Sequence, residues 1–192
     1  MPSATRNAKY EVKMMELKLP LTKTQIRALC AGDVVTLTGT IYTARDAAHK
    51  RLCKMISAGE SLPFPLEGAF LYYCGPCPAP EGAVIGSCGP TTSSRMDAYA
   101  PVLYARGASG AIGKGRIGDA VKSAMREYGA VYLLATGGAG ALLAKCVTSA
   151  EIVAFPELGA EAIRRLEVVE MPLIVGVDAE GRDLYDQARA LE

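Results

Sequence analysis

The chain has 192 residues, 21 Lys+Arg against 20 Asp+Glu, half its residues apolar and 6% aromatic. Its positive mean hydropathy excludes disorder, and its near-neutral charge without like-charge blocks leaves no footprint for nucleic acid or anionic lipid. No run approaches the ~18 apolar residues of a membrane span, and the start MPSATRNAKYEV lacks the apolar core of a signal peptide, which implies a soluble, cytoplasmic protein.

One domain over residues 1–192 is expected, with residues 1–10 as a flexible extension. Val12 to Leu19 alternates apolar and polar side chains and reads as a strand closed by Pro20. Thr22 or Thr24 caps a short helix through Leu29 that stops near Gly32, and the β-branched run Asp33 to Ile41 reads as a strand. Ala44 to Ala58 reads as a helix with Ala47, Leu52, Met55 and Ile56 on one stripe and Gly59 as its stop. Ala69 to Tyr73 is a buried strand, and Cys74 to Pro90 is rich in Gly and Pro and reads as an extended loop.

A helix is predicted from Thr91–Ser94 towards Ala105, kinked at Pro101. Ala111–Gly115 ends a strand, Gly118 to Tyr128 is a helix with Gly129 at C′, and Ala130–Ala135 is a buried strand followed by a flexible TGGAGA. Strands are expected at Glu151–Ala154, Glu167–Glu170 and Leu173–Val177, the last turning at Asp178–Gly181. Strands and helices mixed without strict βαβ alternation indicate an α+β fold, a layered mixed sheet with helices.

Six cysteines in a chain that buries a full core need no disulfides, so Cys30, Cys53 and Cys146 read as reduced, mostly buried thiols. Cys74-Gly-Pro-Cys77 spells a dithiol redox motif, but that chemistry needs a helix to follow, and Pro78-Ala79-Pro80 forbids one. Zinc at Cys74, Cys77 and Cys88 lacks a second CxxC or a histidine partner.

Three segments set cations and hydroxyls beside glycines. In Thr43-Ala44-Arg45-Asp46-Ala47-Ala48-His49, Arg45 and the sole histidine share a helix face, although alone each reads more simply as a surface ion pair with Asp46 and a solvated imidazole. In Gly89-Pro90-Thr91-Thr92-Ser93-Ser94-Arg95, four hydroxyls at a helix start exceed what one cap needs. Free N–H groups there, with Arg95 and a Gly89 that lets a ligand approach, favour anion binding over an over-capped helix. Gly113-Lys114-Gly115 lacks the Walker spacing and gains weight only beside the other two segments. Arg45, Arg95 and Lys114 together suit a dicarboxylate. The chain offers no Ser-His-Asp layout and no complete metal site, which implies an active site shared with another chain.

The stretches LTGTIYTARDAAHKRL, FLYYCGPCP, IGSCGPTTSSRMDAYAP, GAIGKG and LIVGVDAEGRDLY, in this order over most of residues 33 to 185, resemble the β subunit, or C-terminal domain, of class I iron–sulfur fumarases and L-tartrate dehydratases. The resemblance implies a swivelling β/β/α domain and a hydro-lyase that reversibly adds water to fumarate to give malate, or acts on L-tartrate. It implies a [4Fe–4S] cluster held by the α subunit, whose open iron takes the departing hydroxide, and no metal ligand on this chain. By the same resemblance Arg45, Arg95 and Lys114 bind the substrate carboxylates, Ser93 supports them, Thr91 abstracts the proton, and His49 and Asp46 assist. The chain alone is then expected to bind neither cluster nor substrate tightly. Its initiating Met favours a free-standing subunit, and a homodimer is an alternative assembly. Competing readings are a thiol redox module on Cys74 and Cys77 and a non-catalytic dicarboxylate-binding subunit.

Overall fold

The computed structural model describes residues 14–190, so the expected N-terminal extension, and Val12 and Lys13 of the first strand, lie outside the described residues. β1 (Met15–Lys18) leads to α1 (Lys23–Arg27), whose start is a capping box. Gln25 N–H donates to Thr22 Oγ1 at 3.2 Å, and Thr22 N–H donates to Gln25 Oε1 at 2.9 Å. β2 (Val34–Thr43) runs into α2 (Asp46–Ala58), which ends on Gly59 in the left-handed region at φ 70°. β3 (Phe70–Tyr72), β4 (Gly110–Gly113) and β5 (Val131–Leu134) follow, with α3 (Ala100–Ala105) before β4 and α4 (Asp119–Tyr128) before β5. α5 (Gly140–Lys145), β6 (Val147–Ala154), β7 (Ile163–Val177) and α6 (Leu184–Arg189) complete the chain.

β2, β3, β4 and β5 lie side by side in parallel, and β7 runs antiparallel to both β5 and β2, closing the five strands into a barrel. β1 extends the sheet beside β2, and β6 pairs with β7. The two-residue period of each strand sorts its side chains between two cores. Phe70, Tyr72, Ile112, Val131 and Leu133 point into the barrel, whereas Leu71, Tyr73, Ala111 and Tyr132 point outward under Leu52, Leu103, Val121 and Met125 of the helices. Strands covered on both faces read as unbroken apolar runs, as FLYYC and AVYLLA do. The α+β layered expectation therefore holds, with the sheet closed on itself.

Four local expectations are corrected. The helix predicted over 91–105 is a single 3₁₀ turn, Ser93–Met96, followed by α3. Pro101 sits in the first turn of α3, where its missing N–H costs nothing, and it makes no kink. The two strands expected at 167–170 and 173–177 are one strand, β7, bent where Glu170 takes φ 49°. The strand expected at 151–154 begins at Val147. α5 and α6 occupy stretches for which no helix was expected. Among the described residues no helix is long and apolar enough to cross a membrane.

Candidate active site

The carboxyl ends of β2, β3, β4 and β5 open at one end of the barrel, the end at which parallel sheets present ligands. β2 delivers Arg45, which is the N-cap of α2. Its carbonyl accepts the His49 backbone N–H at 2.8 Å and the His49 Nδ1–H at 3.0 Å. His49 is fully buried, edge-on to the Tyr73 ring at 5.1 Å, so it is not the solvated group of the simpler reading. Burial depresses its pKa to about 4, and the imidazole is neutral at pH 7.

β3 ends at Tyr73, and the loop that follows returns along it. Cys74 bridges Pro90, and Thr91 N–H donates to Tyr73 O at 2.7 Å. Thr92 then bridges Lys114 at the end of β4, and Ser93 N–H donates to Lys114 O at 3.0 Å. The backbone N–H groups of Thr91 and Ser93 are thus spent on strands, and the helix start expected there is the single 3₁₀ turn Ser93–Met96. Gly89 lies against Gly140 of α5, where the room is tight on the Gly140 side: a Cβ on Gly140 would come 2.8 Å from Gly89 N.

Ser93 is fully buried and its hydroxyl lies 2.7 Å from Tyr132 Oη, which lies 3.0 Å from Gly115 O. The phenol has one proton and gives it to the carbonyl, so Ser93 donates to Tyr132. This chain of bonds fastens the Thr91–Arg95 segment to the Lys114 loop and commits the Ser93 hydroxyl inward. Arg116 fixes the far side of that loop by an ion pair with Asp186 of α6 at 2.8 Å.

The two guanidiniums meet on one carboxylate. Arg95 Nε lies 2.7 Å from Asp46 Oδ1, and Arg45 Nε lies 3.8 Å from Asp46 Oδ2. Glu161 holds Arg45 from the other side at 3.5 Å, and its second oxygen accepts Ala47 N–H at 2.8 Å, closing the first turn of α2. Lys114 forms no ion pair among the described residues and lines a cavity of about 330 Å³ with Leu134, Thr136 and Tyr185. Within the ion-pair cluster Arg45 and Arg95 are matched by Asp46 and Glu161, and Lys114, which neighbours Thr92 at the end of β4, is a further positive charge. Thr91 is half-exposed, between Pro90, which bridges Cys74, and Thr92, which bridges Lys114.

Glu161 and Tyr132 were not foreseen. Glu161 is over a hundred residues from Arg45, so no spacing signals it. Tyr132 carries the general signal of a polar tip in an otherwise apolar strand.

The cysteines divide by exposure. Cys74 and Cys88 are buried, Cys53 and Cys146 half-buried, Cys77 and Cys30 exposed, which corrects the burial expected for Cys30. A hydrogen bond with Cys88 and burial push the Cys74 thiol well up, the reverse of a redox nucleophile. Among the described residues no group of three or more His, Cys, Asp or Glu side chains is placed to hold a metal ion, so these residues do not fit an iron–sulfur cluster of their own.

The family model described as "Fumarase C-terminus" matches residues 1–188. "Fumarate hydratase 2" of Leishmania major is 38% identical over 180 residues, 92% of this chain and 32% of that protein. "Fumarate hydratase class I, anaerobic" of Escherichia coli is 38% identical over 181 residues, 92% of this chain and 33% of that protein. "Putative L(+)-tartrate dehydratase subunit beta" of Methanocaldococcus jannaschii is 40% identical over 173 residues, 87% of this chain and 89% of that protein. The chain thus spans about a third of the two fumarate hydratases and nearly all of the tartrate dehydratase subunit. By this match along almost its whole length, the chain belongs to the fumarase C-terminus family.

Proposed function

We propose that this chain is the β part of a hydro-lyase that reversibly adds water to fumarate to give malate, contributing the carboxylate-binding and proton-handling half of an active site shared with an α partner. The observation that carries this reading is the meeting of Arg45 and Arg95 on Asp46, with Lys114 and Thr91 on the neighbouring strand ends. The relatives named as fumarate hydratases, three times as long, support a partner half.

In the dehydration direction, Arg45, Arg95 and Lys114 hold the two carboxylates of malate. The proton leaves the carbon next to one carboxylate, and negative charge grows on that carboxylate, where aimed cations stabilise it more in the transition state than in the ground state. Thr91, as its alkoxide, takes the proton on Oγ1. A threonine is a weak acid, and the excess positive charge around it lowers the cost of the alkoxide. Ser93 acts through its bond to Tyr132, which in turn donates to Gly115 O, holding Thr91 and Arg95 in register with Lys114. The [4Fe–4S] cluster belongs, in this reading, to the α partner, and no step assigned to this chain passes through it.

A second reading, the β subunit of an L-tartrate dehydratase, is favoured by the relative of that name whose length this chain nearly matches. The test is an assay of the chain assembled with its partner on malate, fumarate and L-tartrate. Water elimination from malate, lowered ~10²–10⁴-fold by Thr91→Ala, is expected. Faster turnover of L-tartrate moves the assignment to the second reading, and an assembly inert towards all three acids overturns both.

A further inference from the structure

Beside the candidate site a groove of about 480 Å³ runs between the loop after β3 and β6, lined by Pro76, Cys77, Val84, Ile85, Ile152 and Arg164. Two of its apolar residues face water, Val84 at 50% and Ile152 at 48% exposure, over a buried Ile85. β6 is the last strand of the sheet, paired on one side with β7, and its other edge carries no strand among the described residues.

Arg164 is the charge in this groove. Its two terminal nitrogens donate to Ala162 O at 3.3 Å and Gly159 O at 3.1 Å, which fixes the plane of the guanidinium. Unlike Arg45, Arg51, Arg95 and Arg165, it has no ion pair among the described residues. Burial lowers its pKa, so its charge is partly desolvated, and it is answered by two carbonyl oxygens but by no carboxylate among the described residues. A fixed cation among aliphatic side chains selects an occupant with a carboxylate flanked by apolar groups.

The groove adjoins the candidate site. Gly75 forms the wall between them, and a Cβ on Gly75 would lie 2.8 Å from Arg45 Nη1 and 3.0 Å from Ala160 O. The groove residues Pro76 and Ala160 thus stand against Gly75, with Arg45 on its other side.

We propose that this groove seats an extended apolar segment of the α partner, with an Asp or Glu on Arg164, and so sets the partner's half of the site over Arg45. The proposal rests on the shared-site reading above. Its occupant is argued from the unmatched charge, the common wall at Gly75, and the two thirds of the relatives' length that this chain does not span.

Two exposed thiols make the test internal. Cys77 lines the groove, whereas Cys30 precedes β2, at the opposite end of that strand from Arg45. The full chain, alone and co-expressed in complex with the polypeptide that supplies the remaining two thirds, is pulsed with N-ethylmaleimide and read peptide by peptide. Cys30 should label equally in both states, and Cys77 should be protected by an order of magnitude in the complex. Arg164→Glu should raise the Kd of assembly ~30-fold or more, as loss of a buried interfacial charge pair does. A complex that turns over malate with Cys77 labelled as in the free chain overturns the groove assignment and leaves the shared-site reading standing. Protection that grows with concentration of the isolated chain makes a second copy the occupant and overturns it too. Failure of the two polypeptides to assemble overturns both.

Discussion

Arg95 and Asp46, 49 residues apart in the chain, are joined by an ion pair of 2.7 Å that brings the loop before β4 onto the first turn of α2. Arg95 is about half exposed, so this pair contributes little to folding, within ~1 kcal/mol. Its geometry instead suits a guanidinium that exchanges a protein carboxylate for a substrate one. Arg95→Ala should leave the urea midpoint of the chain nearly unchanged and lower turnover of malate in the assembled complex at least ~10²-fold. A variant that unfolds early while turning over normally would make Arg95 a structural residue.

The link between the Thr91–Arg95 segment and the Lys114 loop is buried and steric as well as hydrogen-bonded. A Cβ on Gly113 would fall on Ser93 Oγ and come within 3.1 Å of Tyr73 Cδ2. Gly113→Ala should therefore cost ~1–3 kcal/mol by overpacking. Ser93→Ala also destabilises, because it leaves the Tyr132 oxygen without its donor. Combined, the two changes should cost less than their sum, since the second removes the atom that the first strikes. Urea denaturation of the four proteins gives the coupling, and strict additivity would mean that the two positions do not meet.

The parts of this architecture written in the sequence are those whose partners are near in the chain. Thr22 and Gln25, three apart, spell the capping box of α1, and the apolar runs of β3 and β5 mark strands covered on both faces. Thr91, Arg95 and Lys114 stand out as residue types near glycines, and Arg45 as a cation at a strand-to-helix junction. What joins them does not, because it is made by distant pairs: Arg45 with Glu161, Ser93 with Tyr132, Gly89 against Gly140. α5 and α6 span only six residues each, too short for a period to declare itself. Barrel closure depends on β7 pairing at once with β2 and β5, and Met171-Pro172, next to the bend at Glu170, reads locally as an interruption.

Thiol chemistry separates the redox reading from the others. Under native conditions Cys30 and Cys77 should alkylate readily in the isolated chain, and Cys74 and Cys88 only after unfolding, because both are buried free thiols hydrogen-bonded to each other. Intact-mass and peptide readouts count the adducts. Rapid alkylation of Cys74 in the folded chain, together with disulfide reductase activity, would restore the dithiol module.

His49 gives stability a defined pH dependence. Its folded pKa, about 4, lies below the ordinary value of 6.5, so between these values the unfolded chain binds a proton that the folded chain does not. Its contribution is complete above pH 6.5 and is lost as the pH falls through that window towards 4, by at most ~1.4 kcal/mol per pH unit. His49→Gln removes this slope while other groups titrate as before. Urea unfolding of both proteins from pH 7 down to pH 4.5 should show wild type weakening more steeply. Parallel pH profiles would place the imidazole in contact with water.

Glu161 does two things with its two oxygens, and substitutions can part them. One oxygen accepts Ala47 N–H in the first turn of α2, a cap supplied from far along the chain, and the other faces Arg45. Glu161→Gln keeps an acceptor for Ala47 but loses the charge, so its stability should stay within ~0.5 kcal/mol of wild type, whereas Glu161→Ala should cost ~1–2 kcal/mol as a lost cap does. Both variants remove the Glu161 side of the Arg45 pairing and leave only Asp46, so in the assembled complex both should raise KM for malate. The orientation of a guanidinium is worth most where a planar carboxylate must be gripped, so the loss falls on binding in both variants alike. A rise in KM confined to the alanine variant would mean that Glu161 acts on α2 alone, and that Arg45 is held by Asp46 without it.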